Sequence, residues 1–130
     1  MRSNVCHSSC ACNAQFQRKS GQWQSAEYST FFISDEAGKY RLSVSGYSGD
    51  AGNAMARSNP AVWNANGMKF STPDQDNDLN NQVHRGSVCG CGWWFEDLSS
   101  SRITDDYNAR WSETYVGTDV EFTRMLVRAN

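Results

Sequence analysis

Apolar and polar positions alternate along only a few stretches of the chain. Tyr40, Leu42 and Val44 are separated by polar residues in Lys39-Tyr40-Arg41-Leu42-Ser43-Val44-Ser45, the two-residue period of a half-buried strand. Before it, Trp23, Ala26, Tyr28, Phe31, Phe32 and Ile33 form a β-prone run that stops at Ser34-Asp35-Glu36-Ala37-Gly38. The two runs predict an antiparallel hairpin with a short glycine-containing connection. Near the C-terminus a strand is expected with Val120, Phe122 and either Met125 or Val127 turned inward. Ala51 to Arg57 is predicted to begin a short helix that Ser58-Asn59-Pro60 stops, because the residue before proline is pushed out of the helical region. Gly46–Asn53 and Gly86–Gly92 read as loops, and Trp93-Trp94-Phe95 is a dense aromatic knot. Residues 1–20 show no periodicity, and no internal repeat or linker is visible.

A polypeptide of 130 residues suits a single domain with a modest core. Its formal net charge of −2, with no Lys/Arg run, argues against nucleic acid as a partner. No apolar run approaches the length of a membrane span. The first residues lack the apolar segment of a signal peptide. The five cysteines allow at most two intrachain disulfides, which leaves one thiol free or available to bridge to another copy in an oligomer.

The Ser-, Asn- and Cys-rich composition of residues 1–20 predicts a flexible tail ahead of a domain over 21–130. A competing reading takes Cys6, His7, Cys10 and Cys12 as a soft-metal cluster for zinc or copper(I), although no second ligand pair lies at zinc-finger distance. Cys89 and Cys91 are one residue apart. A disulfide between them would close a strained ring, so they are not expected to pair.

Asp74, Asp76 and Asp78 occupy alternate positions just after Asn66-Gly67-Met68-Lys69-Phe70-Ser71-Thr72. A curled backbone would aim several carboxylate oxygens at one point, which suits a hard cation such as calcium. A solvated acidic turn accounts equally well for the same residues. The EF-hand pattern is excluded: counted from Asp74, its glycine position is Leu79 and its final glutamate position is Arg85. Such an ion would also help to hold a loop-heavy domain.

Several motifs in order carry a resemblance: Lys39-Tyr40-Arg41-Leu42, Gly46-Tyr47-Ser48-Gly49-Asp50-Ala51-Gly52, Asn66 to Thr72, Asp74-Gln75-Asp76-Asn77-Asp78 and Gly92-Trp93-Trp94-Phe95. The segment Gly21 to Asn130 resembles the fibrinogen C-terminal domain family, which includes ficolins, tenascins and fibrinogen-related lectins. The resemblance implies a truncated, divergent member of an α+β fold: a small antiparallel sheet with a large loop-rich calcium-binding subdomain. It implies secretion and calcium as the cofactor. Asp76 and Asp78 would be side-chain ligands, the backbone carbonyls of Asn80 and Gln82 would add to them, and Asp74 would sit in the outer shell.

The same resemblance exposes departures. The family's disulfide around the aromatic knot would fall at His84 and Leu98, neither of which is cysteine. In ficolin-like members an acetyl-binding pocket adjoins the calcium loop. Its histidine position is Ser99 here, an upstream tyrosine position is Cys89, and Tyr107 stands in for a later tyrosine. Trp93 is a further pocket candidate, although paired large aromatics more often supply buried area. Trp63, in a lengthened segment with Pro60, is another candidate contact residue.

Catalysis has little support. His7 and His84 are the only histidines, and no nucleophile elbow, phosphate-binding glycine loop or His-Glu-x-x-His occurs. Glu96 and Asp97 are adjacent, which is no evidence for an acid/base pair. The resemblance likewise points to binding, and implies an extracellular, calcium-dependent, lectin-like recognition module for acetylated glycans or glycoproteins. The alternatives are a structural or interaction fragment without a sugar site, and a metal binder acting through the N-terminal thiols.

Overall fold

The computed structural model describes residues 10–56, 64–97, 101–104, 109–111 and 120–130. Its centre is a four-stranded antiparallel sheet in the order β3-β2-β1-β6, built from β1 (Cys10–Arg18), β2 (Trp23–Ile33), β3 (Leu42–Gly49) and β6 (Val120–Ala129). A second sheet pairs β4 (Ser101–Arg102) with β5 (Arg110–Trp111), and one short helix, α1, spans Arg85–Cys89.

Strand β1 lies at the heart of the sheet, with β2 on one side and β6 on the other. Cys10, Cys12, Ala14 and Phe16 point into the core, while Ala11, Asn13, Gln15 and Gln17 line the opposite face. The expected flexible tail over residues 1–20 is therefore corrected from Cys10 onward, and residues 1–9 lie outside the described residues. The period-2 pattern was present, but cysteine and alanine carried it. Such small buried side chains suit a strand crowded on both edges.

The hairpin of β2 and β3 forms as expected, with Phe31 opposite Val44 and Ile33 opposite Leu42. Its start differs. Lys39 and Tyr40 adopt left-handed backbone angles (φ 59° and 54°) and close the turn instead of opening the strand. Strand β6 also differs: Val120 is buried, but Phe122 falls on the outer face opposite Gln17 and is 58 % exposed. No helix forms over residues 51–56; Asn53 instead accepts from the Ala56 amide and donates to its carbonyl. Arg57 lies outside the described residues. Helix α1 replaces part of the expected Gly86–Gly92 loop. The architecture is thus mostly sheet and turn, with far less helix than an α+β assignment implies.

Loops pack beneath the sheet around Met55, Trp93, Trp94, Phe95 and Trp111. Burying each of these large apolar groups contributes about 1.5–3 kcal/mol. The polar ends of the aromatics tie loops to the sheet. Tyr28 donates to Asn53 Oδ1 at 2.9 Å and accepts from the Met55 amide at 3.3 Å. Trp94 and Trp111 donate to the carbonyls of Tyr40 and Gly52, each at 2.8 Å.

Cys89 and Cys91 are bonded to each other, contrary to expectation. Gly90, in the left-handed region at φ 64°, turns the backbone at the end of α1 and brings the two Cα atoms to 5.2 Å. Cys10 is also disulfide-bonded, and Cys12 is a free, buried thiol. Of the four soft-metal candidates, Cys10 is disulfide-bonded and so is not a thiolate, and Cys12 is enclosed in the core, where burial pushes its thiol up to about 12. Cys6 and His7 lie outside the described residues.

Candidate functional site

The acidic loop hangs between two anchors. At its start, Ser71 pairs with Trp93 in an isolated bridge, with N–O distances of 2.9 and 3.1 Å. At its end, α1 packs so closely that a Cβ on Gly86 would stand 2.8 Å from the Thr72 carbonyl oxygen. Only glycine permits that approach. His84 Nε2 lies 2.8 Å from the same oxygen.

Between the anchors the backbone folds as successive side-chain-capped turns. Asp76 Oδ1 accepts from the Asp78 amide at 3.2 Å, and Asp78 Oδ1 from the Asn80 amide at 2.9 Å. Asn80 Oδ1 accepts from the amides of Gln82 and Val83, both at 2.8 Å. Each Asx residue thus bonds the backbone two positions on, the turn chemistry that favours Asp and Asn. Asn77 reaches back: its Nδ2 donates to the Phe70 carbonyl at 2.8 Å, and its backbone amide donates to Ser71 Oγ at 2.9 Å.

The carboxylates differ. Asp74 leans away toward Thr72, whose hydroxyl donates to it at 2.7 Å; that bond, foremost, holds the carboxyl below its ordinary range. Asp78 spans the loop, accepting from the Arg85 amide on Oδ2 at 2.9 Å. The three aspartates do not converge: among the described residues no three His, Cys, Asp or Glu side chains are placed to share a metal ion. No described N–H donates to the backbone carbonyls of Asn80 and Gln82.

Sequence reasoning missed the groups that brace this loop. Asp97 accepts from the Asn80 side-chain amide and from Arg85 Nη2, the latter at 3.2 Å. The Asn80 bond first and Arg85 second hold the Asp97 carboxyl below its ordinary range. Arg85 Nε also donates to the Asp97 carbonyl at 2.6 Å. Glu96 accepts the Leu79 amide on its carbonyl at 2.7 Å and the Asn64 amide on Oε2 at 2.8 Å. Arg85 is thereby held by Asp97, and its cation is not aimed at Asp76. The run of Asp and Asn at 74, 76, 77, 78 and 80 was the available signal for the turns, but nothing local announced the long-range braces.

Of the pocket candidates, Trp93 and Cys89 lie among the described residues. Trp93 is only 2 % exposed and packs edge-on against Trp94 at 5.1 Å between centroids, so it offers no ring face to a sugar. Its Nε1 has no hydrogen-bond partner among the described residues. Cys89 is half-buried and tied to Cys91. Ser99, Tyr107, Leu98 and Trp63 lie outside the described residues.

The four-stranded sheet thus backs a turn-built loop and a buried tryptophan knot. The profile of the C-terminal globular domain of fibrinogen beta and gamma chains matches residues 6–121, and the protein belongs to this family. The match begins well before Gly21, in agreement with β1 as part of the fold. The sequence is 36 % identical to the chicken (Gallus gallus) fibrinogen beta chain over 106 residues, covering 73 % of this chain and 22 % of that one. It is 35 % identical to Techylectin-5A of Tachypleus tridentatus over 82 residues, covering 63 % and 25 %. The fibrinogen-like globe domain of human ANGPTL6 superimposes with a TM-score of 0.77 at 22 % identity, covering 95 % of this chain and 58 % of that one. A lamprey fibrin D-dimer, solved with the peptide Gly-His-Arg-Pro-amide, gives 0.73 at 22 % identity and covers 93 % and 45 %. The chain spans 9–34 % of the length of such curated relatives. Domains of this family are non-enzymatic recognition and structural modules, and the fibrinogen-family relatives are secreted proteins.

Proposed function

We propose that this protein is an extracellular calcium-binding recognition module, lectin-like, whose ligands are acetylated glycans or glycoproteins. The observation that carries the calcium part is the donor set of the loop. Asp76 and Asp78 supply carboxylates, and the carbonyls of Asn80 and Gln82 have no described N–H donor of their own. Carboxylate and carbonyl oxygens in a flexible arrangement, completed by water, suit calcium better than magnesium. Asp74, turned toward Thr72, belongs to the outer shell. The ion's role is structural: it pins the loop and the surface beside it.

Isothermal titration with calcium, followed by N-acetylglucosamine, tests this reading. A Kd on the order of 0.1–1 mM is expected for an extracellular module. At about 100-fold excess over Kd the folded state gains about 2.7 kcal/mol, seen as a raised Tm. Asp76→Asn with Asp78→Asn abolishes both signals. No calcium heat and no Tm shift in the parent protein sinks the proposal.

A second reading, an interaction module without a sugar site, is favoured by the burial of Trp93 and the tying of Cys89. Calcium heat without any heat from the acetylated sugar selects it.

A further inference from the structure

The Cys89–Cys91 disulfide takes no part in the turns of the acidic loop or in its donor set, and its place in the fold needs another account. A cross-link stabilises mainly by restricting the unfolded chain, and the restriction shrinks with the ring it closes. This ring encloses Gly90 alone and so restricts very little. The backbone is held at the same place by other bonds. The Gly90 amide donates to the Ser87 carbonyl at 3.3 Å, and the Cys91 amide to the Gly86 carbonyl at 3.2 Å. Two residues on, Trp93 and Ser71 exchange backbone bonds at 2.9 and 3.1 Å. The disulfide can therefore open while the surrounding fold stays in place.

The two sulfurs differ in access. Cys91 is 6 % exposed and belongs to the core cluster, whereas Cys89 is half-buried at the end of α1. Val88 beside it is 70 % exposed, and a Cβ built on Gly90 would meet nothing within 4 Å. Cys89 Sγ lies 3.6 Å from the carbonyl oxygens of Gly86 and Cys91, which are ready acceptors for the S–H that reduction creates. Cys10 and Cys12 are both buried in the core and offer no such approach.

We infer that the Cys89–Cys91 bond is a thiol-exchange site, at which a small thiol of the glutathione class forms a mixed disulfide with Cys89. The attacking thiolate bonds to Cys89 Sγ, the Cys89–Cys91 bond breaks, and Cys91 leaves with the electron pair and takes a proton from water. A second small thiolate then attacks the small-thiol sulfur of the mixed disulfide. The oxidised small-thiol dimer departs, and Cys89 takes up a proton as a thiol. Two small thiols are oxidised as one protein disulfide is reduced. The backbone bonds keep the two Cα atoms near their 5.2 Å separation, within the span of a disulfide. Cys91 can therefore attack the mixed disulfide in return and expel the small thiol, which makes the modification reversible. Opening also frees the end of α1, the helix that anchors the acidic loop through Gly86.

The test treats the full-length protein with millimolar glutathione in native buffer, adds iodoacetamide to trap accessible thiols, and maps the products by peptide mass spectrometry. Cys89 is expected to carry glutathione or the alkyl group and Cys91 the alkyl group, while Cys12 stays unmodified because the core is closed. Two variants check the direction of attack. With oxidised glutathione, Cys91→Ser takes up the adduct at Cys89, and Cys89→Ser takes it up at Cys91 about tenfold or more slowly. Where a variant fails to fold, the products of the parent protein decide alone. A bond that resists glutathione, that opens only in urea that also exposes Cys12, or that places the adduct on Cys91 in preference to Cys89 overturns the inference. None of these readouts depends on calcium, so this inference and the calcium reading stand or fall separately.

Discussion

At the scale of single residues, the candidate site is held by bonds that sequence distance hides. Asp97 illustrates this. It has no recognisable motif, yet it receives both the Asn80 amide and the Arg85 guanidinium. Its depressed carboxyl sets a direction for acid sensitivity. Because the folded-state value lies below the ordinary 3.8, the interaction stabilises the folded loop fully above that pH and is lost as pH falls through the lower, folded value. Asp97 is solvent-facing, so the effect is small and screened by salt. Urea unfolding of the parent and of Asp97→Asn is expected to show a stability difference at about pH 6 that shrinks toward about pH 3. A difference that grows on acidification contradicts this account. Gly86 is the other telling residue, since any side chain there meets the Thr72 carbonyl and separates the helix from the loop it anchors.

At the scale of elements, legibility followed side-chain size. The β2–β3 hairpin could be read because Tyr28, Phe31, Leu42 and Val44 announce its buried face. Strand β1 could not, because Cys10, Cys12 and Ala14 give a weak apolar signal and invite metal chemistry instead. Strand β6 was found, with Val120 and Met125 on the core side, but Phe122 was placed on the wrong face. Its residues are mostly exposed on both sides, so alternation there reports an edge and not a core. The Asx turns were half legible: composition marks a turn-rich loop, whereas the anchoring of its ends by Trp93 and α1 depends on tertiary folding. The position of β1 makes a simple test. Removal of residues 1–20 deletes the strand between β2 and β6, and the truncated protein is expected to lose its β-sheet circular dichroism and its cooperative thermal transition. An unchanged Tm would mean that the sheet closes without it.

At the scale of the whole molecule, the sheet and the loop are two differently built halves. The sheet is joined by long-range pairing and aromatic burial. The loop is joined largely by bonds within its own stretch, from Phe70 to Arg85, with Asp97, Glu96 and Trp93 as braces from further along the chain. Local opening of the loop therefore costs less than opening of the sheet. The free thiol of Cys12, near the start of β1, makes that contrast measurable. Cys12 is enclosed by β2, β6 and the core beneath, and its deprotonation is suppressed. It acts as a clock for the sheet: a thiol-specific reagent can modify it only during the moments when β1 leaves its neighbours. At neutral pH its labelling is expected to be slow and to accelerate in step with urea unfolding, while conditions that loosen only the acidic loop leave the rate untouched. Prompt labelling in native buffer would show that the sheet breathes on its own.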